Sequence, residues 1–156
     1  MINDKIKSRV IGINVDTTTT TIAVVDLRGN IVAQDSIPTQ NFPNVNNFVE
    51  ALSERVVMLA ENNGGDENIR SVGMCAPSAN YLTGCIENAP NMPWKGIIPI
   101  AAMLRDSIGL AGALGNDAHV TALGERAYGV AHGMDNFIVV TLVGSGLGSG
   151  VFSNGL

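Results

Sequence analysis

Three β-patterned segments follow one another near the amino terminus with no helix between them. Arg9–Val15 is apolar-rich, Thr20–Leu27 is β-branched and apolar, and Arg28-Gly29-Asn30 supplies a turn before Ile31–Ile37. Short turns join antiparallel neighbours, because a parallel return needs a crossover of a dozen or more residues. The chain therefore opens on a three-stranded meander. After a polar connection, Pro38–Pro43, the residues Val45, Phe48, Val49, Leu52, Val56 and Leu59 recur at helical spacing up to Gly64-Gly65, which predicts a helix crossing one face of the sheet.

The pattern then shortens. Ile69–Cys75 reads as a strand that runs into the small-residue loop Ala76–Asn80, a place near a strand's carboxyl end where ligands bind. Tyr81-Leu82 and Cys85-Ile86 flank Thr83-Gly84 as a small hairpin, and the Pro-punctuated loop NAPNMPWKG, Asn88–Gly96, holds the only tryptophan, Trp94. An indole in such a loop is read as an anchor onto the body of the fold. Pro99–Ile108 predicts a short helix and Gly112–Leu114 a short strand. Asp117–Ala131 predicts a helix with Val120, Leu123, Ala127 and Val130/Ala131 turned inward, before a last strand, Phe137–Val143. No internal repeat is seen.

Composition limits what such a chain does. With 156 residues, 46% hydrophobic and 15% charged, it buries one core, as one domain or one lobe. Nine Lys and Arg against 14 Asp and Glu give a net charge of −5. That balance disfavours nucleic acid or an anionic membrane as partner. No apolar run approaches the roughly 20 residues of a membrane span, and MINDKIKSRV lacks a signal peptide's apolar core, so a cytoplasmic setting is expected. Cys75 and Cys85 form neither a CxxC pair nor a metal spacing with His119 or His132. They read as small buried hydrophobes in a reducing compartment, and no metal site is expected.

Three stretches carry candidate chemistry. Asn116-Asp117 joins a strand to a helix, where an acidic residue either caps free backbone N–H groups or serves as a general base beside an Asn donor. GSGLGSG, Gly144–Gly150, follows an apolar strand. Its alternating glycines allow close backbone approach to an anion, or make only a tight turn. The spacing is neither the dinucleotide fingerprint nor a Walker loop, and Val151–Gly155 reads as a strand turning back. The stretch VDTTTTTIAVVD, Val15–Asp26, is either an ordinary strand start or an altered phosphate-holding turn.

Taken in order, the β-turn-β start, the Ala76-Pro77-Ser78 loop, the strand-Asn116-Asp117-Ala118-helix and the strand-glycine-hairpin resemble the amino-terminal lobe of the ROK family of sugar kinases and sugar-responsive repressors. The resemblance covers essentially the whole chain, and bacterial glucokinase-like members are nearest in pattern. It implies an α/β fold, a ribonuclease H-like lobe of the actin/hexokinase-type ATPases. Such a lobe has a mixed sheet that opens on an antiparallel meander, with flanking helices. It implies ATP with Mg2+ as cofactor and a glucose-like hexose as partner. Asp117 would take the proton from a sugar hydroxyl, Asn116 would bind a neighbouring hydroxyl, and Ser78 and Asn91 would line the sugar site. Phosphates would lie against Asp16, Thr17, Thr18, Gly144, Ser145 and Gly146.

Two departures follow from the same resemblance. The family's first turn reads Asp-Ile-Gly-Gly-Thr, and here the matching positions are Asn14, Val15, Asp16, Thr17 and Thr18. Asp16 sets a negative charge where a polyphosphate should lie, and β-branched Thr17 resists the backbone conformations open to glycine. Weakened ATP binding is the expectation, offset if a metal ion bridges Asp16 to phosphate. The resemblance also expects a second lobe, with a Cys/His zinc site in many members, so residues 1–156 read as a single amino-terminal lobe, inactive alone. The readings carried forward are a glucokinase-like kinase lobe, the sugar-sensing module of a repressor or a catalytically dead relative, and a plain interaction domain. Oligomeric state is left open.

Overall fold

A computed structural model describes residues 7–143 and 146–156, with no account of the side chains of Asp66 and Val143. The meander is as expected: β1 (Arg9–Val15) pairs antiparallel with β2 (Thr19–Asp26), and β2 with β3 (Ile31–Pro38). The turn between β2 and β3 is held by the Asp26 carboxylate, which accepts from the backbone N–H groups of Arg28 and Asn30 and from the Asn30 side chain. These bonds, that of the Asn30 side chain foremost, hold the carboxyl below its ordinary range.

Alternation along these strands selects one face for burial. Ile11, Ile13 and Val15 of β1, and Thr20, Ile22 and Val24 of β2, are buried. The Thr20 hydroxyl pairs with that of Thr39 at 2.8 Å, so this fully buried polar pair is satisfied. Helix α1 (Val45–Glu61) covers this face with Phe48, Val49, Leu52, Val56 and Ala60. It begins at Asn44, whose side chain accepts from the N–H groups of Asn46 and Asn47, a cap that contributes about 1 kcal/mol.

The crossover through α1 returns the chain as β4 (Ile69–Ala76), parallel to β1. Beyond it, β5 (Ala79–Asn80), β6 (Cys85–Glu87) and β7 (Ile97–Ile98) form a separate small antiparallel sheet. The expected hairpin exists, but Tyr81-Leu82 are not one of its strands. They form its exposed turn, because Ala79 and Asn80 take the pairing with Ile86 and Cys85. Trp94 is an anchor: it is buried, lies 4.5 Å from the Phe48 ring, and donates Nε1–H to the Phe42 carbonyl at 2.9 Å.

Helix α2 (Ile100–Ile108) packs beside α1, and β8 (Gly112–Asn116) runs parallel to β4. The main sheet therefore has the order β3-β2-β1-β4-β8, the mixed sheet expected from the meander and two crossovers. Its opposite face is open and floored largely by small or apolar residues, among them Gly12, Ala23, Gly73 and Ala113. No helix among the described residues is long and apolar enough to cross a membrane.

Helix α3 (Asp117–Tyr128) corrects the sequence reading in two respects. It stops at Tyr128, short of Ala131, and its buried residues are Ala118 and Ala122, whereas Leu123 and Val130 are exposed; Ala131, beyond the helix, is buried as expected. The cause lies in the next element. Strands β9 (Phe137–Val143) and β10 (Gly146–Phe152) form a two-stranded sheet of their own, whose extensive packing outside the pair is on α3. A Cβ on Gly148 would stand 2.8 Å from Ala118 Cβ, and one on Gly150 would stand 2.5 Å from Ala122 Cβ and 2.9 Å from the Ala118 carbonyl oxygen. Glycine on the strand and alanine on the helix let the two backbones meet. From Gly146 on the glycine run is thus strand, and Gly148 and Gly150 serve packing. Ile138, Val140, Leu142, Leu147 and Val151 on the hairpin are exposed.

Candidate functional site

The carboxyl ends of the parallel strands β1, β4 and β8 converge, and each passes into a segment singled out in the sequence. From β8 the chain enters α3 through Asn116 and Asp117. Asn116 is the N-cap, its Oδ1 accepting from Ala118 N–H at 3.1 Å and His119 N–H at 3.4 Å. Asp117 Oδ1 also accepts from Ala118 N–H, at 2.8 Å. Both side chains thus cap the helix. The Asn116 side-chain oxygen is taken, leaving its amide N–H groups to offer a ligand, while the second Asp117 carboxylate oxygen has no hydrogen-bond partner among the described residues.

Two cavities meet at Asp117. The first, about 190 Å³, is lined by Thr17, Ser78, Asn91, Asn116, Asp117 and Gly146, with further residues of the same loops and of β9 and β10. A volume below the usual 300–1,000 Å³ of drug-sized pockets suits a small ligand. The second, about 550 Å³, is lined by Asn14, Asp16, Cys75, Asp117, Thr121 and Thr141, among others. Neither has a Lys or Arg in its described walls. Ser78 holds φ 53°, a left-handed conformation uncommon outside glycine that aligns with sites where ligands are clamped.

The predicted residues are thus distributed. Ser78, Asn91, Asn116, Asp117, Thr17 and Gly146 share the first cavity, and Asp16 lies on the second. Thr18 lines neither, its carbonyl accepting from the Thr39 N–H. Gly144 and Ser145 lie outside the described residues. A Cβ on Gly146, at φ 143°, would meet no atom of the described residues within 4 Å.

The threonine turn is built without glycine's dihedrals, since none of Asp16, Thr17 and Thr18 has positive φ. Asp16 Oδ1 accepts from the Thr17 N–H at 2.6 Å and from the Thr17 hydroxyl at 3.3 Å. A carboxylate of the chain itself therefore occupies the Thr17 amide.

Sequence reasoning missed Asn14, Cys75 and Thr141. Cys75 is not a core residue: half-buried, it donates Sγ–H to Asn14 Oδ1 at 3.2 Å and lines the cavity that Asp117 shares. Burial, and then the Asp117 charge, push the thiol up to about 11. The signal available was position, since Asn14 and Cys75 are cross-strand partners at the ends of β1 and β4. Because only the thiolate reacts, Cys75 alkylation by iodoacetamide should be slow at pH 8 and rise as pH approaches 11. Asp117→Asn removes a negative charge and should speed the reaction at fixed pH. An unchanged rate, followed by mass spectrometry, would separate the two groups electrostatically.

A family model described as "ROK family" matches residues 10–156. The chain is 31% identical over 150 residues to a glucokinase of Halalkalibacterium halodurans, covering 93% of this chain and 44% of that protein. Among solved structures, a ROK family glucokinase from Streptomyces griseus in complex with glucose and AMPPNP superposes with a TM-score of 0.82 at 29% identity, over 95% of this chain and 45% of that one. A ROK family transcriptional regulator, homolog of E. coli MLC protein, superposes with a TM-score of 0.79 at 19% identity, over 97% and 38%. At that identity only the fold is shared. The chain spans less than half the length of these relatives.

Proposed function

The chain belongs to the ROK family, and from that premise we propose that it is the amino-terminal lobe of a hexose kinase, binding a glucose-like sugar in the 190 Å³ cavity beside Asp117. The carrying observation is the start of α3. Asn116 and Asp117 both accept from Ala118 N–H through one oxygen, which leaves the second Asp117 carboxylate oxygen without a partner among the described residues where two cavities meet. In this reading Asp117 accepts the proton of the attacking sugar hydroxyl, and the Asn116 amide donates to a neighbouring hydroxyl. Ser78 and Asn91 bound the ring, so that a sugar lacking the matching hydroxyls leaves polar groups unpaired. Glucokinase relatives and the neighbour bound to glucose and AMPPNP support the substrate class.

The fit to ATP is uneven. Gly146 offers an open backbone to a phosphate, whereas the first turn presents the Asp16 carboxylate and has its Thr17 amide engaged. Mg2+, which takes one or two carboxylates plus phosphate oxygens, would find Asp16 on the cavity wall and would neutralise charge that no Lys or Arg here offsets. The closed first turn is the specific observation favouring the second reading, a sugar-sensing or catalytically silent relative. A regulator of this fold would read nucleic acid through elements other than these acidic residues.

Calorimetric titration of a protein of the relatives' full length, carrying these residues, separates the readings. Glucose and ATP-Mg both binding supports the kinase; glucose alone supports the sensor; neither overturns both. In the same protein, Asp16→Gly with Thr17→Gly should free the amide and remove the repulsion, so ATP-Mg affinity should rise. The wild-type affinity should improve with added salt, because screening weakens like-charge contacts. If the turn is only structural, the double variant instead loses about 0.5–1 kcal/mol per glycine in stability and gains no affinity.

A further inference from the structure

A larger groove, about 720 Å³, runs between the outward faces of α1 and α2, away from Asp117. Its α1 wall is one continuous stripe. Asn46, Val49, Glu50, Ser53, Glu54, Val57, Met58 and Glu61 repeat at i, i+3, i+4 and i+7, roughly 24 Å of helix, and Met103 and Ser107 of α2 form the other wall. Val57 and Met58 are 41% and 44% exposed, while Val49 and Ser53 are 6% exposed in the floor. Glu50, Glu54 and Glu61 line it without an ion-pair partner among the described residues, and no Lys or Arg lines it. Ser53 Oγ is the one buried side-chain polar atom, among the described residues, without a hydrogen-bond partner.

We propose that this groove is the docking site of a basic amphipathic helix from a partner protein. The shape is a helix-in-groove seat: Val49, Val57, Met58 and Met103 supply a narrow apolar strip between polar flanks, with methionine as an adaptable wall. Charge chooses the occupant. A second copy of this chain would lay Glu against Glu in a self-complementary pairing, whereas Lys or Arg flanking an apolar stripe meets Glu50, Glu54 and Glu61 with opposite charge. The unpartnered Ser53 hydroxyl adds a positional requirement. A side-chain amide at the middle of the incoming stripe satisfies it, where an aliphatic residue leaves it buried and unpaired. This site is independent of the reading of Asp117.

The probe is a fluorescein-labelled helical peptide of about 18 residues, with leucines at i, i+4, i+7 and i+11, a central Gln and flanking lysines. Anisotropy with the 156-residue chain should show it binding at least about tenfold more tightly than a scrambled peptide of equal composition, with affinity falling as salt rises. Glu54→Lys with Glu61→Lys, and separately Met58→Asp, should each weaken binding about tenfold with no change in the circular-dichroism melt. Ser53→Ala should abolish the preference for Gln over Leu at the peptide's centre. Equal binding of the scrambled peptide, or indifference to both groove variants, would mark an ordinary solvated helix face and overturn the proposal. So would self-association of the chain that Met58→Asp abolishes, which would make the occupant a second copy.

Discussion

Asp117→Asn should lower turnover by about 10²–10⁴, the scale of losing a general base, while leaving the fold in place. The substitution isolates the chemistry because an asparagine carbonyl oxygen still accepts from Ala118 N–H and the Asn116 cap is untouched. Sugar binding should persist, since the donors attributed to Asn116, Ser78 and Asn91 are unaltered. The measurement is kcat and a thermal melt of the same full-length protein, with glucose and ATP-Mg. Turnover near wild type would remove Asp117 from its assigned role. A loss accompanied by a lowered Tm would instead return it to helix capping.

Gly150→Ala should destabilise the protein by about 1–3 kcal/mol, a fall in Tm of about 2–12 °C, although it adds one methyl group. The new Cβ has no room: Ala122 Cβ lies at 2.5 Å and the Ala118 carbonyl oxygen, a backbone atom, at 2.9 Å. The hairpin must lift from α3, and an unsupported two-stranded sheet is marginal in water. Amide exchange should therefore quicken first in β9 and β10. Gly73→Ala is the internal comparison, for nothing lies within 4 Å of a Cβ there, and its Tm should hold or rise. Equal melts for the two variants would show that the hairpin does not depend on this close approach.

These two residues also mark where the sequence was informative. Asp117 was legible because a strand, an Asn-Asp pair and a helical stripe are local patterns, and they place the carboxylate at a strand end without knowledge of the whole fold. The inward face of α3 was not. Helical spacing singles out the stripe Val120, Leu123, Ala127 and Val130/Ala131, of which Ala131 is buried, yet contact with the glycine strand demands the smallest side chains, so Ala118 and Ala122 are buried and Leu123 is left exposed. Which stripe wins depends on a strand about 30 residues further on, a non-local fact. The meander and α1 were read correctly because their turn, cap and alternation all agree. Tyr81-Leu82 misled because two apolar residues beside a Thr-Gly pair look like a strand, whereas the register is set by Ala79 and Asn80. In the threonine turn no sequence pattern reveals that Asp16 folds back onto the Thr17 amide.

Helix α3 has a mechanical consequence. Its first residue is Asp117, and its flank carries the β9–β10 hairpin by backbone-close contact, reinforced by Arg126, which lies 4.9 Å from the Phe152 ring centroid and donates to the Gly155 carbonyl. Carboxylate and hairpin are thus mounted on one rigid arm, whereas Thr17 and Ser78 belong to the segments that follow β1 and β4. A small rotation of that arm about the β8–α3 junction widens or narrows the gap to Thr17 and Ser78. The spacing between Asp117 and Gly146 stays constant. Any opening and shutting of this cleft is therefore geared: the Asp117 carboxylate travels with the glycine wall, and the distance that changes is the one to the opposite bank.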